Sequence, residues 1–441
     1  MKRLLFIVGI LSITLNVKAQ QQLSVQQCVD EAIKNNLSVK DKELSQAITD
    51  ADIEQAKSGL FPQVNFQGQY TYYTQEPKQW MPGSLFGSSE QYVEGGFTMA
   101  QQLQASVQLV QPLYNGIVWQ GVKAAKASKG LNAIQVKQTQ ETLAFNVENT
   151  YYNIQSLDER IKLVQYNLGS IEKILAATNS LVKNQLTPKV DANRVEVSKK
   201  SLETQLKTIE LNRDKLYNYL KYLMGRSVND NIQVEPFKGG NTLPSTLEES
   251  LESNQNTQIA LLEKTIELKE LQKQSVKSSY YPIVNLVGAY ALTGYNDEFN
   301  PFDYIKGRFF PTSYVGMQLQ VPVFDGFNRR AQIRKIEAEN ERSRNQIAMV
   351  KNQTELDIAN AVDDYKSNVI TLKLQEENIK LAQEVYEDRQ VQFKNGLAKI
   401  NDVVLAENDL RLAQTDYINA LINIRTSELN YRKAKSELLK N

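Results

Sequence analysis

Apolar residues recur at alternating steps of four and three along the segment from Leu143 to Val182. This 3.5-residue period predicts a long helix that winds around its neighbours in a left-handed supercoil. The stripe consists of Leu143, Val147, Thr150, Ile154, Leu157, Ile161, Val164, Leu168, Ile171, Leu175, Thr178 and Val182. It continues on a shorter return helix, and the second half carries a similar stripe at Leu410, Tyr417, Leu421, Ile424 and Tyr431.

Two long helices are predicted over 115–182 and 326–393, with return helices over 188–224 and 399–440. The segment 327–441 contains no proline and a single glycine, Gly396, as long helices require. At ~1.5 Å per residue the first long helix would reach roughly 100 Å. That length exceeds the core of a compact domain.

Four segments carry no charged residue, although 23% of the chain is charged: about 61–73, 97–112, 282–294 and 312–324. In three of them apolar and polar residues alternate with a period of two, as in Val64 and Phe66 against Asn65 and Gln67. Segments of about ten such residues are typical of membrane β-strands with one face toward lipid and one toward a water-filled lumen. The alternative is an ordinary sandwich sheet with one core face.

The loops beside these strands are rich in aromatic residues. Residues 70–97 and 290–314 hold 15 of the 37 aromatic residues, which predicts an aromatic girdle at the membrane interface. We assign to it Tyr70, Tyr72, Phe97, Tyr290 and Tyr314.

The chain repeats itself at an offset of 220 residues. Residues 56–70 match 276–290, with Pro62 opposite Pro282 and Gly68 opposite Gly288. We therefore predict a first repeat over 20–224, a Pro- and Gly-containing linker over 225–246 and a second repeat over 247–441. Each repeat would contain a helix, two strands, a long helix and a return helix.

Four strands cannot close a membrane barrel, and open edges in lipid would leave backbone groups unpaired at several kcal/mol each. Two copies supply eight strands and three supply twelve. Because an eight-stranded barrel is filled by its own side chains, a conduit favours three copies.

The first 19 residues combine a basic start, a short apolar run and Val17-Lys18-Ala19 before Gln20. This pattern predicts a secretory signal over Met1–Ala19. The alternative is an N-terminal anchor helix.

Composition narrows the chemistry. Lys and Arg number 51 against 50 Asp and Glu, which argues against nucleic acid as a partner. The chain has no His and one Cys, Cys28, which excludes imidazole-based zinc sites, Ser-His and Cys-His catalysis and an internal disulfide. We expect no cofactor, no metal and no enzymatic activity.

At this point the sequence resembles the TolC-type outer-membrane factors of tripartite efflux pumps and type I secretion systems. The resemblance rests on the strand starts Phe61-Pro62 and Tyr281-Pro282, on the segments Gln111–Gly116 and Val321–Gly326, and on the turn region Phe393–Val404. Each motif is weak alone, and their ordered duplication is specific.

The resemblance implies a homotrimer. Its 12-stranded β-barrel, four strands per chain, would lie in the lipid of the outer membrane and continue into a barrel of long helices across the periplasm. A periplasmic adaptor protein and an inner-membrane transporter would dock at the helical end, and the channel itself would be passive.

Two helix–turn–helix tips are implied to bind the adaptor. In the second, Asn395, Gly396 and Leu397 match the family pattern. The first has Asn184, Gln185 and Leu186 and lacks the glycine. The alternative is that both are only tight turns.

The resemblance also places an acidic ring at the periplasmic constriction. Asp402 and the corresponding Asp191 take this position, and three Asp402 carboxylates around one axis would attract cations. A second acidic position of the family falls at Leu405, so this constriction combines one ring with an apolar step. The alternative is a solvated first-turn aspartate favoured by the helix dipole.

Three other functions compete. A periplasmic adaptor would need a lipoyl-like β domain and a single hairpin, whereas this chain has two similar halves. A soluble structural coiled coil leaves the charge-free strands unexplained. An enzyme would need a catalytic motif, and none is visible.

Overall fold

The computed structural model describes residues 22–96, 99–237, 247, 256–296 and 309–439. These residues form seven α-helices, eight strands and one 3₁₀ turn. In chain order they are β1 (Gln22–Leu23), α1 (Val25–Asn35), α2 (Leu37–Ser58), β2 (Gln63–Tyr72), β3 (Gln79–Pro82), the 3₁₀ turn (Gly83–Phe86), β4 (Tyr92–Gly95), β5 (Gln101–Tyr114), α3 (Gly116–Lys183), α4 (Lys189–Leu223), β6 (Gln233–Val234), α5 (Thr257–Ser278), β7 (Ile283–Asn296), β8 (Phe309–Gln320), α6 (Asn328–Lys394) and α7 (Ile400–Ala434).

The chain divides into two compact units. The first comprises the described residues of 1–43, 134–260 and 348–441, and the second those of 44–133 and 261–347. Each unit therefore takes segments from both predicted repeats. The predicted signal segment, residues 1–19, lies outside the described residues.

The first unit is built on a helical core that uses the predicted stripe. Val147, Ile154 and Ile171 of α3 are fully buried, and Leu143, Ile161 and Val164 nearly so. The α3 residues 143–154 pack with Cys28 of α1 and with Leu220 of α4. A second cluster joins α3, α4, α6 and α7 through Ile171, Val195, Tyr386 and Val403. The 4-3 spacing is confirmed as the buried face of α3.

Part of the predicted linker 225–246 has regular secondary structure and is buried. Its described part contains β6, which pairs in parallel with β1, and Ile232 and Val234 are buried in the first core. Gly225 begins this segment with a φ of 70°, and a Cβ there would lie 2.8 Å from the carbonyl oxygen of Asn35. Only glycine fits this close approach between the end of α4 and the end of α1.

The second unit contains a four-stranded antiparallel sheet with strand order β2-β5-β7-β8. The strands differ from the predicted segments at their ends. In particular, β8 stops at Gln320, short of the predicted 324, because Pro322 lacks the N–H that the ladder needs. In β5 a bulge between Pro112 and Tyr114 precedes α3.

The ends of the long helices follow backbone conformation. Helix α6 starts at Asn328 and not at 326, since Gly326 and Phe327 both have positive φ angles of 63° and 66°. Helix α7 ends at Ala434 and not at 440. There Ser436, with a φ of 55°, turns the chain, and the N–H of Glu437 donates to the carbonyl of Arg432 at 2.8 Å.

The loop 73–96 contains a hairpin that the sequence did not predict. Strands β3 and β4 pair in antiparallel register, with Trp80 opposite Glu94. Met81 is buried within the hairpin, whereas Trp80 and Phe86 are exposed.

Candidate functional site

The sheet has one apolar face that crosses all four strands. Residues paired directly across antiparallel strands point to the same face. One such row joins Val64, Leu109, Gly288 and Val315. Val64 and Val315 are exposed. On the two outer strands, none of the described elements covers these valines of the apolar face.

The opposite face is polar over most of its area. One row joins Asn65, Gln108, Ala289 and Tyr314. Other residues of this face are Gln67, Gln69, Thr71, Gln102, Gln104, Ser106, Thr312, Gln318 and Gln320. The sheet thus separates an apolar surface from a surface of uncharged hydrogen-bonding groups.

The described girdle residues lie on both faces of the sheet. Tyr70, Tyr72 and Tyr290 lie on the apolar face and are exposed. Tyr290 lies in the same cross-strand row as Phe66. Phe66 precedes Tyr70 by four residues, which is ~13 Å along β2.

Tyr314 lies on the polar face, because the period-two alternation that puts Val315 and Met317 on the apolar face puts position 314 on the other. Phe97 lies outside the described residues. The girdle assignment stays a prediction for all five residues.

The two outer strands of the sheet, β2 and β8, each pair with one neighbour among the described residues. They are 10 and 12 residues long and carry no charged residue. Such long, uncharged edges invite pairing with another strand.

The passage from β8 to α6 is fastened by Arg329. Its Nε donates to Oδ2 of Asp325 at 2.6 Å, and its Nη1 donates to the carbonyl of Ser279 at 2.8 Å. The guanidinium also lies 4.3 Å from the ring centroid of Tyr280. The corresponding passage from β5 to α3 has Asn115, which accepts from the backbone N–H of Ile117 at 3.1 Å.

Both helix–turn–helix tips have the same backbone geometry. In the second, Gly396 has a φ of 72°, and the N–H of Leu397 donates to the carbonyl of Gln392 at 2.8 Å. In the first, Gln185 has a φ of 59°, and the N–H of Leu186 donates to the carbonyl of Leu181 at 2.9 Å. Both tips thus end their long helix in a Schellman turn, although only one has glycine at the left-handed position.

The outermost side chains of the tips are open to solvent. Leu186 is 72% exposed and Leu397 is 79% exposed. Asn184 and Asn395 are exposed as well. A role of these leucines in docking stays a prediction.

The two candidate constriction acids lie in the first turns of α4 and α7. Asp402 accepts from the backbone N–H of Lys399 at 3.1 Å, and Asp191 accepts from the hydroxyl of Thr187 at 2.7 Å. Both are half-buried, and Leu405, one turn beyond Asp402, is exposed. The Asp402 contact caps the start of α7, whereas the Asp191 contact is with a side-chain hydroxyl. A role of either acid in a constriction stays a prediction.

A polar layer deeper in the helices is not among the sites that the sequence predicted. Glu407 of α7 is 3% exposed, and its Oε1 has no hydrogen-bond partner among the described residues. Burial raises the pKa of Glu407, against the opposing charge of Arg411. Tyr386 of α6 faces the same layer, and burial raises its pKa too.

Glu407 could have been found from the sequence. It stands at the step-of-three position before Leu410, where the stripe calls for an apolar residue. Gln414, one heptad later, is also polar and accepts from the side-chain amide of Asn167 at 3.3 Å.

Within the ranges that the structure describes, no cluster of three His, Cys, Asp or Glu residues has the arrangement of a metal site. The α-helices of those ranges include none with a stretch long and apolar enough to span a membrane.

Comparison with known proteins gives consistent similarities. The outer membrane protein TolC of Escherichia coli (strain K12) is 19% identical over 451 residues, which cover 99% of this chain and 87% of that protein. The outer membrane protein VceC of Vibrio cholerae superposes with a TM-score of 0.72 at 16% identity, covering 93% of this chain and 95% of that one. The open-state MtrE outer membrane channel of Neisseria gonorrhoeae gives 0.71 at 16% identity, with 94% and 89% covered.

These superpositions identify the fold as the mainly helical one of outer-membrane efflux channels. The sequence model described as "Outer membrane efflux protein" matches residues 28–226 and 249–435, most of the chain. This is a family of channel proteins and not a class of enzymes. The chain belongs to the outer membrane efflux protein family.

Proposed function

We propose that three copies of this chain form a passive channel in the outer membrane that extends into the periplasm. The channel would serve a tripartite efflux pump or a type I secretion system. The observation that carries the proposal is the sheet: four charge-free strands, one apolar face, one polar face and two long edges.

The number of copies follows from the need to pair the two outer strands of the sheet, β2 and β8. An unpaired strand edge in lipid costs several kcal/mol for each backbone group, so β8 of one copy would pair with β2 of the next. Three copies close 12 strands, wide enough to leave a lumen. The Gln and Asn residues of the polar face would then line water, and the apolar face would contact lipid.

The helical end would dock to the periplasmic adaptor. The exposed leucines of the tips, Leu186 and Leu397, stand on turns of the same geometry. Six such tips in a trimer offer repeated sites to an adaptor ring, and multiple weak contacts combine into a stable assembly. The inner-membrane transporter would supply the energy.

Single-channel recording in planar lipid bilayers tests the channel. We expect stable, voltage-tolerant openings from the purified full chain, and block by divalent cations from the Asp402 side. Substituting Asp402→Ala should change the conductance and relieve the block, because it removes three cation-attracting carboxylates from one ring.

Asn401→Ala, the neighbouring exposed position, is the matched control and should leave both properties unchanged. The absence of any conductance from correctly folded protein would contradict the channel. Unchanged conductance and unchanged block in Asp402→Ala would remove Asp402 from the constriction alone.

A further inference from the structure

Three aromatic rings stand on the polar face of the sheet. Antiparallel pairing places Tyr295 of β7 and Phe310 and Tyr314 of β8 on this face. All three are exposed, Phe310 by 56% and Tyr314 by 57%. The ring centroids of Tyr295 and Phe310 lie 6.3 Å apart. Tyr314 follows Phe310 by four residues, ~13 Å along the strand. The three rings form an aromatic track, the name used for them below.

Contact with lipid does not account for the aromatic track. Aromatic residues that anchor a sheet in a membrane project from its lipid-facing side at the level of the headgroups. Tyr290 has such a position, on the apolar face, whereas the aromatic track lies on the opposite face. In the proposed barrel the aromatic track would face the lumen, where its rings would meet only water and the solutes that pass.

Small neighbours leave the rings of β8 uncovered. Tyr314 lies directly opposite Ala289, and Gly316 is its neighbour along the strand on the same face. Phe310 lies opposite Thr293. None of these side chains is large enough to cover an aromatic ring. The flat faces of Phe310 and Tyr314 are therefore open to a solute.

Free amides border the aromatic track. Gln104 and Gln108 of β5 lie in the same cross-strand rows as Phe310 and Tyr314, two strands away, or about 10 Å. Neither amide forms a hydrogen bond with any residue that the structure describes. Each can donate two hydrogen bonds and accept two. In the proposed trimer, β2 of the next copy would bring further amides to the other side of the track.

Open aromatic rings between neutral amides match the chemistry of a sugar. A pyranose ring has a face of C–H groups that can stack on an aromatic ring, and its hydroxyl groups both donate and accept hydrogen bonds. The four strands contain no charged residue that could pair with an ionic solute. A wholly apolar solute would cover the amides without satisfying them, which is costly.

We propose that the aromatic track binds neutral oligosaccharide chains in the lumen. The inference rests on the proposed channel and names a class of substrate for it. Phe310 and Tyr314 would stack on sugar rings ~13 Å apart, a spacing that favours a chain over a single sugar. Gln104 and Gln108 would exchange hydrogen bonds with the hydroxyl groups of that chain. Three copies would supply three such tracks around one lumen.

Single-channel recording of the full chain with maltohexaose, a neutral chain of glucose units, tests the inference. We expect millimolar maltohexaose to cause resolved interruptions of the current that saturate with concentration, as binding to a site requires. Polyethylene glycol of the same hydrodynamic radius is the matched control solute. Because it has neither sugar rings nor hydroxyl groups along its chain, it should lower the current only in proportion to its concentration.

Variants assign the block to the named side chains. Phe310→Leu combined with Tyr314→Leu should raise the half-blocking concentration of maltohexaose about tenfold, because leucine keeps the apolar surface and loses the aromatic face. Tyr314→Phe keeps the ring and should change that concentration by about twofold or less. Replacing Gln104 and Gln108 together by Leu should raise it about fivefold. Tyr290→Leu, an exposed tyrosine of the opposite face, is the matched control.

The outcomes separate the inference from the channel proposal. Normal conductance with the same proportional effect of maltohexaose and polyethylene glycol would leave the channel intact and overturn the sugar site. A saturating block that survives the double leucine variant, or that Tyr290→Leu weakens equally, would also overturn it. The absence of conductance from correctly folded protein would overturn both.

Discussion

Glu407 shows how a single residue departs from the pattern that builds the helices. It occupies an apolar position of the α7 stripe and is almost completely buried, with one oxygen unpaired among the described residues. A buried carboxylate without a full set of partners is costly, so its pKa is raised. The ionised form therefore destabilises the helical tip region.

We predict that Glu407→Gln stabilises the helical region at pH 8 by about 1 kcal/mol. Because the folded-state pKa is raised, the unfolded chain ionises first as pH increases, and stability falls through that window. Below the ordinary pKa of glutamate both states are protonated, so the gain should vanish there. Native-state hydrogen exchange of α7, compared between variant and wild type at each pH, measures this difference.

Glu148→Gln is the matched comparison, because burial raises the pKa of Glu148 as well, while the charge of Arg432 opposes that rise. Glu148 is equally buried but accepts from Arg432 at 2.8 and 3.3 Å. Because this ion pair offsets part of the burial cost, Glu148→Gln should gain less stability at pH 8 than Glu407→Gln does. An equal gain in the two variants, or a Glu407→Gln variant with no pH-dependent gain, would contradict this interpretation.

The left-handed turn residues provide a second comparison at the residue scale. Gly396→Ala should cost about 1 kcal/mol, because an alanine side chain is strained at a φ of 72°. Gln185→Ala should change stability by only a few tenths, since residue 185 already bears that strain at a φ of 59°. Exchange of the Leu397 and Leu186 amides, which close the two turns, provides the measurement.

Equal losses at the two positions would show that the turns differ from the described geometry. The glycine at 396 was predictable as a helix C-cap, and the turn at 185 was not, because glutamine gives no local signal for positive φ. Its conformation follows from the packing of the two helices on either side of the turn.

At the scale of elements, periodicity carried most of the information. The 4-3 stripe located the buried face of α3, and alternation located both faces of β2 and β8. The ends of helices and strands depend on local backbone conformation, which the spacing of apolar residues does not reveal. The positive φ angles at Gly326 and Phe327, just before α6, are an example. The hairpin β3–β4 was missed because four-residue strands carry too few alternations to be distinguished from loop.

Arg329 holds the start of helix α6 to the loop that precedes it. Arg329→Met removes the ion pair with Asp325, the hydrogen bond to Ser279 and the contact with Tyr280. We expect amide exchange at the start of α6 to become roughly tenfold faster, because charged hydrogen bonds there hold the helix start to the preceding loop.

Trp119→Met is the matched control. Trp119 follows Asn115 by four residues, as Arg329 follows Asp325, and it is 56% exposed. Its replacement should leave exchange at the start of α3 within about twofold of wild type. If Arg329→Met accelerates exchange at the start of α6 no more than Trp119→Met does at the start of α3, the passage from β8 to α6 does not depend on Arg329.

At the scale of the whole molecule, the four-stranded sheet lacks partners for its apolar face and for its two outer strands. This sheet has an apolar face and two unpaired edges, which no other described element covers. The sequence predicted this incompleteness from strand number and the absence of charge. It could not give the register between copies, because that register depends on contacts between chains.

The most direct measurement of the trimeric channel is disulfide formation between β2 of one copy and β8 of the next. Native Cys28 does not interfere, because it is fully buried and burial raises its pKa to about 12. Gln67→Cys on β2 is combined in turn with cysteine at Thr312, Gln318 or Gln320 on β8, all on the polar face. Each single-cysteine variant serves as the control.

At the pairing position that matches the register between copies, oxidation in membranes should convert the double variant into covalent trimers and no larger species. The single variants should remain monomers on denaturing gels. Chains that stay monomeric at every β8 position, or that form an open ladder beyond three copies, would contradict a closed barrel of three copies.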